Sequence, residues 1–332
     1  MIDFLPKILS VDVTNKCNRN CLYCRDIHNE KSRELSDDEV FGIVASLVKK
    51  IASIEWVKIS GGEPLLFSRI DDLVSFCHIR NKKTILQTNG ALLTEKNIKG
   101  LKEKGLTKIQ ISVDGYEEIN DYLRGENSYK LVMRAVESCE RNKMPFQLKC
   151  TISNINKKYL EDLFKIASCC HPEKLNFRFL LPIGKAEKRK ALHSIDAKER
   201  KLIVKKLNQL SDFYKIDIIT GDPCSYLYLF KYLRKNKILD YGGACTIGIN
   251  SIHLSSDGFY RPCSMIKINL GDALKDDFYE IWNNNEFLKR NRKRNFEKCE
   301  LCFNKKICGG CRALAHSIRG DYFSEDITCF VN

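Results

Sequence analysis

Short apolar runs alternate with longer amphipathic stretches as far as about residue 180 of the chain. The short runs are rich in Val, Ile, Leu and Phe. Several are apolar at almost every position, which is typical of strands that are covered on both faces. They predict six strands, over residues 7–13, 56–60, 84–88, 108–113, 147–152 and 175–180.

The stretches between these runs predict helices with recognisable starts. Ser36 and Glu39 have the spacing of a capping box ahead of the first helix. Thr94 is placed to cap the second, which stops at Gly105 because glycine accepts the backbone angles of a helix end. The predicted helices cover residues 40–51, 94–101, 129–142 and 159–169.

This series of β-α units implies a parallel sheet with right-handed crossovers. Six units are too few for a closed eight-stranded barrel, so we expect an α/β fold with an open, partial (β/α)6 TIM-like barrel. Ligand sites of such folds gather at the carboxyl ends of the strands. The segments that follow the first four strands should therefore share one rim. They are 17–24, 61–64, 88–90 and 114–115.

The last third of the chain has a different pattern. A long amphipathic helix is predicted over 196–214, and short strands, turns and cysteines follow from Cys245 onward. The turn signal at 255–258 predicts a hairpin between strands at 249–254 and 259–262, and 277–291 predicts one short helix. We expect a barrel at 1–190, a helical linker at 191–244 and a small C-terminal domain at 245–332.

Cysteine usage and charge narrow the class of protein. The chain has 332 residues, 16 cysteines and a formal net charge of +14. It opens without a basic segment ahead of an apolar core, and no apolar run approaches the ~20 residues that span a bilayer. We therefore expect a cytoplasmic, reducing location, where thiols bind metal rather than form disulfides. The basic runs lack interleaved aromatic residues, so they favour a solvated surface or an acidic partner over nucleic acid.

Cys17, Cys21 and Cys24 place three thiols within eight residues, just after the first predicted strand. A [4Fe–4S] cluster normally takes four cysteines, so these three leave one iron open to another ligand. Zinc is the alternative, but zinc sites pair two Cys-x2-Cys units or add histidines, and this segment offers His28 alone. The CxxxCxxC spacing, with Tyr23 before the third cysteine, closely resembles the signature of the radical S-adenosylmethionine (SAM) enzymes.

This resemblance implies a set of SAM-binding residues. The open iron would chelate the amino and carboxylate groups of SAM, and Gly61-Gly62-Glu63-Pro64 matches the family's GGEP segment beside the methionyl ammonium. Ser112 and Arg124 have the separation of the family's serine and arginine that contact the ribose and carboxylate. The other implied pocket residues are Tyr23 near the adenine, Gln87, Asn89, Asp114, and Arg178 with residues 182–184.

The C-terminal cysteines resemble a SPASM domain, an accessory module that binds iron–sulfur clusters. Cys245, twelve residues, Gly258, four residues and Cys263 match its start. The resemblance implies two auxiliary [4Fe–4S] clusters. One is held by a four-cysteine set, Cys299, Cys302, Cys308 and Cys329, and the other by a three-cysteine set, Cys245, Cys263 and Cys311.

Two departures from the SPASM pattern concern these ligands. Two residues, Gly309 and Gly310, precede Cys311 where three are usual. The three-cysteine set also lacks a fourth ligand, so either Cys224 supplies it or that iron stays open to bind substrate. A zinc ribbon over 299–311 is the alternative interpretation.

The full pattern predicts an enzyme that forms a 5′-deoxyadenosyl radical and takes hydrogen from a substrate. SPASM proteins chiefly modify peptides, so the first hypothesis is oxidative maturation of a ribosomally made peptide. Ser264 replaces the aspartate of sulfatase maturases, which argues against that subfamily. The ending at 308–313 also resembles enzymes that oxidise haem precursors, so tailoring of a tetrapyrrole is the alternative. A zinc-dependent nucleic-acid binder is the alternative from another class. The resemblance further implies an electron donor such as flavodoxin or ferredoxin.

Overall fold

A computed structural model describes residues 4–26, 33–193, 195–229, 245–305 and 307–329. These residues fold around one sheet of ten strands. In chain order the strands are β1 (Ile8–Asp12), β2 (Trp56–Ser60), β3 (Lys83–Thr88), β4 (Lys108–Ser112), β5 (Phe146–Ile152), β6 (Leu175–Phe179), β7 (Ile218–Thr220), β8 (Ser251–Leu254), β9 (Phe259–Arg261) and β10 (Gly271–Asp272). Across the sheet they lie in the order β10-β9-β8-β1-β2-β3-β4-β5-β6-β7.

The six strands predicted from the apolar runs are β1 to β6, and they pair in parallel as expected. Two further strands extend this parallel set at its ends, because β7 pairs in parallel with β6 and β8 with β1. β7 has only three residues, too few to stand out as an apolar run, and the sequence places β8 only in its hairpin with β9. Because β7 and β8 lie at opposite ends of the parallel set, the barrel is partial and open.

Helices connect the strands and cover the outer face of the sheet. Ser36 caps α1 in a capping box and Thr94 caps α3, as predicted. The single helix expected at 277–291 is two helices, because Asn285 has an extended backbone and its side chain caps the second. The helices are α1 (Asp37–Lys50), α2 (Ile70–Ile79), α3 (Glu95–Glu103), α4 (Glu117–Arg124), α5 (Ser128–Arg141), α6 (Leu160–Cys170), α7 (Lys190–His193), α8 (Ala197–Tyr214), α9 (Pro223–Tyr228), α10 (Phe278–Asn284), α11 (Glu286–Lys293) and α12 (Arg312–Arg319).

The two faces of the parallel strands differ in polarity. Side chains that point outward, such as Val57 and Leu148, belong to the main apolar core. Side chains alternate along a strand, and the inner face begins with a small apolar cluster of Ile8, Trp56 and Ile85 at the amino ends. Towards the carboxyl ends the inner positions become polar and line a cavity. The expectation of strands with apolar cover on both faces therefore holds for the outer face and fails for this part of the inner face.

The C-terminal segment joins the same sheet. Ser255 to Gly258 turn the chain from β8 into β9, as the sequence predicts, and β9 pairs with β10. β8 brings the residues that follow Cys245 beside β1, which carries the first cysteine loop at its end. Among the described residues, no helix is long and apolar enough to cross a membrane.

Candidate functional site

The first cysteine loop begins against the two glycines that follow β2. The backbone N–H of Gly62 donates to the Thr14 carbonyl (2.7 Å), and that of Glu63 donates to the Lys16 carbonyl (2.8 Å). A Cβ atom on Gly62 would lie 2.2 Å from the Lys16 oxygen. Glycine is required here because the two backbones approach more closely than any side chain allows.

The loop ends against a second close backbone contact. Lys185 N–H donates to the Cys24 carbonyl (2.9 Å). Gly184 has a φ of +59°, and a Cβ atom there would lie 2.2 Å from the Arg25 carbonyl oxygen. The segment after β6 therefore holds the far end of the cysteine loop, and these contacts hold the loop backbone at both ends.

Asp114 orients Tyr23 and Arg124 at one wall. Its carboxylate accepts a hydrogen bond from the Tyr23 hydroxyl and another from Arg124 Nε (2.7 Å). All three side chains are buried. Burial alone would lower the pKa of Arg124, but the adjacent Asp114 raises it above its ordinary value, so the guanidinium stays charged. Arg124 and Tyr23 face the cavity, while Asp114 lies behind them.

Glu63 joins the ends of β2 and β3. Its side chain is fully buried and accepts hydrogen bonds from Thr88 Oγ1 (2.7 Å) and from the Asn89 backbone N–H (2.9 Å). The Asn89 amide in turn donates to Asn18 Oδ1 (2.8 Å) in the cysteine loop. Glu63 and Pro64 lie behind the cavity wall, so within the GGEP segment the two glycines are the residues exposed to the cavity.

A cavity of about 410 Å³ lies at the carboxyl ends of the strands. Its wall includes the thiol-bearing residues Cys17, Cys21 and Cys24, and on another side the whole three-cysteine set. Six of the expected metal ligands therefore face one space. The predicted SAM-site residues that line it are Tyr23, Gly61, Gly62, Asn89, Ser112 and Arg124, whereas Glu63, Pro64 and Asp114 support the wall from behind.

The chemistry of the thiols fits iron–sulfur clusters. Burial raises the pKa of Cys17 and Cys311 to about 11 and about 12, so both are protonated at neutral pH until a metal takes the proton's place. In the described part of the chain, no three candidate ligands converge as they would around a single ion. A cubane needs no such convergence, because each thiolate binds a different iron.

The four-cysteine set lies apart from this cavity. Cys224 lies beside the four-cysteine set. Its buried thiol is within hydrogen-bonding distance of Cys308 and Cys329 and lies 3.6 Å from Asp326 Oδ2. The same carboxylate oxygen accepts the Cys311 backbone N–H (2.8 Å), so Asp326 links the two sets. Gly309 and Gly310, which shorten the spacing before Cys311, both have positive φ angles.

The sequence interpretation missed a buried network beside the cysteine loop. Asp12, at the end of β1, accepts two hydrogen bonds from Arg25 (2.7 and 2.8 Å) and one from Ser60 (2.7 Å), and contacts His253 Nε2 (3.1 Å). Burial acts to raise the pKa of Asp12, but Arg25 and His253 together hold it well below its usual range. Polar residues on neighbouring parallel strands were the available signal, since adjacent strand ends meet at one rim.

Family models and relatives agree with this geometry. Residues 11–167 match the radical SAM superfamily, and residues 245–311 match an iron–sulfur cluster-binding (SPASM) domain. The chain is 26% identical to the AdoMet-dependent heme synthase of Methanosarcina barkeri, over 98% of this chain and 96% of that protein. It is 30% identical to the GTP 3',8-cyclase of Clostridium perfringens, over 81% of this chain and 84% of that protein.

The fold also matches solved structures. Streptococcus suis SuiB bound to its precursor peptide SuiA superposes with a TM-score of 0.79, at 16% identity, over 99% of this chain and 77% of SuiB. At that identity the likeness concerns the fold alone. The cysteine loop, the GGEP segment, the partial barrel and the two matched domains together show that this chain belongs to the radical SAM superfamily and carries a C-terminal SPASM domain.

Proposed function

We propose that this enzyme oxidises a tetrapyrrole-type small molecule in the cavity between the first cysteine loop and the three-cysteine set. When bound, the iron–sulfur cluster and SAM supply reductive cleavage of the sulfonium, and with it the 5′-deoxyadenosyl radical that takes a hydrogen atom from the substrate. The observation that carries the proposal is the cavity with cluster ligands on two sides.

The cavity geometry supports a two-electron oxidation. Cys17, Cys21 and Cys24 would hold the SAM-binding cluster on one side of the cavity, so the substrate would lose its hydrogen atom on that side. The remaining unpaired electron must also leave, and Cys245, Cys263 and Cys311 face the same cavity and would hold its acceptor. A flavodoxin or ferredoxin would supply the electron that starts each cycle.

The residues of the chain bind and orient the reactants. Arg124, held by Asp114, is the partner proposed for the SAM carboxylate, because a guanidinium can bind that group through two hydrogen bonds. Ser112 faces the same space and is proposed to contact the ribose. The close backbone contacts of Gly62 and Gly184 keep the loop in position, so the target C–H bond can be held beside the radical.

The choice of substrate class rests on the relatives. The M. barkeri heme synthase matches almost end to end, over 98% of this chain and 96% of its own. The Clostridium perfringens cysteine-type anaerobic sulfatase-maturating enzyme is 28% identical but covers less, 92% of this chain and 88% of its own, and Ser264 stands where that subfamily is expected to carry an aspartate. A tetrapyrrole substrate is therefore favoured over the peptide that the SPASM resemblance first suggested.

The test is anaerobic turnover of reconstituted protein with SAM and dithionite. Fe-coproporphyrin III should raise the yield of 5′-deoxyadenosine and itself change mass. A panel of cysteine-containing peptides should do neither. Turnover of a peptide, with the tetrapyrrole inert, would contradict the proposed substrate class and leave the radical SAM assignment standing.

A further inference from the structure

The cavity wall carries an excess of positive charge. Seven Lys and Arg side chains line it, and none of its lining residues is Asp or Glu. Two of these cations are neutralised from behind: Arg25 pairs with Asp12 (2.7 Å) and Arg124 with Asp114 (2.7 Å). The excess of positive charge therefore comes from the other cations of the wall.

Two more of these cations, Arg19 and Arg312, donate to backbone carbonyls, and the three remaining cations have no such partner in the described part of the chain. Lys58 on β2, Lys149 on β5 and Arg178 on β6 all point to the inner face and line the cavity. Across the residues that the structure describes, no carboxylate lies within ion-pairing distance of any of the three. An unpaired cation in a partly enclosed site is costly, so three together indicate that an anion belongs there.

The pKa values of Lys58 and Lys149 reflect the same excess of positive charge. Burial lowers the pKa of Lys149 to about 7, with further lowering from Arg178, Arg25, Arg124 and Lys58 around it. Burial and Arg178 also lower the pKa of Lys58. No carboxylate offsets these effects at either group. A bound anion would reverse them by neutralising the surrounding charge.

The negatively charged thiolates of the clusters balance only part of the positive charge on this wall. Arg178 is close enough to Cys263 and Cys311 to oppose the rise in pKa that burial causes at both thiols, so it also faces the three-cysteine set. Lys58 and Lys149 lie inside β2 and β5, not in the loops that carry the cysteines. Their position indicates an anion other than a cluster.

We propose that Lys58 and Lys149, with Arg178 beside them, form a subsite that binds two or more carboxylate groups of the substrate. The identity of the substrate rests on the proposed function. The negative charge of the ligand is inferred from the cavity alone. Coproporphyrins carry four propionate groups, so a rigid ring could place two of them against this wall. Carboxylate anchoring on β2, β5 and β6 would hold the substrate between the two groups of cysteines.

The test compares charged and uncharged forms of one ligand. Binding of Fe-coproporphyrin III and of its tetramethyl ester to the reconstituted holoenzyme is measured from the Soret band. The variant is Lys58→Met/Lys149→Met, which keeps the apolar stems, and the control is Lys83→Met at the exposed amino end of β3. Tricarballylate, a small tricarboxylate, is titrated by calorimetry as a probe that is independent of the substrate's identity, and SAM affinity is measured in parallel.

Wild type and Lys83→Met should prefer the acid over the ester by about 100-fold, from about tenfold for each charged contact. In the double variant that preference should fall to within about threefold, and tricarballylate binding should disappear. Replacing unpaired, half-buried cations removes a cost, so the variant should melt no lower than wild type.

The result that overturns the subsite is a double variant that binds tricarballylate, or distinguishes acid from ester, as wild type does. Loss of SAM affinity with unchanged ligand preference would overturn it too, because the lysines would then serve the SAM carboxylate. Tricarballylate binding that depends on the lysines, without tetrapyrrole binding, would refute the proposed function and uphold the subsite.

Discussion

Replacement of Gly62 by alanine tests how the structure positions the first cysteine loop. The added Cβ would lie 2.2 Å from the Lys16 carbonyl oxygen, whereas a carbon–oxygen contact needs about 3.3 Å. The loop must therefore retreat by about 1 Å, which breaks the hydrogen bonds to Thr14 and Lys16. Losing two bonds costs about 1–3 kcal/mol and overpacking about 1–3 kcal/mol more, so we expect about 2–6 kcal/mol in all.

Gly42→Ala is the matched control, because nothing lies within 4 Å of a Cβ on this exposed residue of α1. It should stabilise the protein by about 0.5–1 kcal/mol. Both variants are assayed anaerobically for urea unfolding, iron content and 5′-deoxyadenosine formation. Gly62→Ala should lose stability and the iron of the first loop. If it matches Gly42→Ala in all three measurements, the proposed clamp is wrong.

Three further predictions concern single side chains. Arg124→Ala should lower the free energy of unfolding by about 3–5 kcal/mol, because Asp114 would stay buried without its cation; a negligible loss in urea titrations contradicts the buried pair. Tricarballylate affinity should fall as the pH rises through about 7, because burial and nearby cations lower the pKa of Lys149 to that value and its charge is lost above it. A flat pH profile, or a slope that persists in Lys149→Met, contradicts this. In protein whose four-cysteine set has been emptied by mutation, Cys224→Ala should leave the remaining auxiliary EPR signal unchanged, because the Cys224 thiol lies beside Cys308 and Cys329 of the four-cysteine set; a changed signal would make Cys224 a ligand of the three-cysteine set.

The strands and the first cysteine loop could be predicted because their signals are local. The strand Trp56–Ser60 has the predicted bounds, and the cysteine spacing lies within eight residues. The partners of β7 and β8 could not be predicted, because strands this short have no clear apolar pattern of their own and are defined by the strands with which they pair. β8 pairs with β1 across more than 200 residues of sequence.

The two lysines of the cationic wall escaped prediction for a related reason, whereas Arg178 was expected only as a residue of the SAM pocket. Lys58 and Lys149 are single polar residues within apolar strands, and each alone is compatible with an exposed position. Only the barrel brings them to one face. The position of Cys224 likewise depends on the packing of α9 against the C-terminal segment, so the sequence left its cluster open while the structure places it beside Cys308.

The most direct test of the radical SAM site measures iron and 5′-deoxyadenosine on the same anaerobic preparations. Wild type should hold close to twelve irons per chain, three clusters of four, and should form 5′-deoxyadenosine from SAM and dithionite. The variant with Cys17, Cys21 and Cys24 all replaced by alanine should keep about eight irons, those of the auxiliary clusters, and form no 5′-deoxyadenosine. A triple variant that still cleaves SAM to 5′-deoxyadenosine would contradict the assignment of these three cysteines.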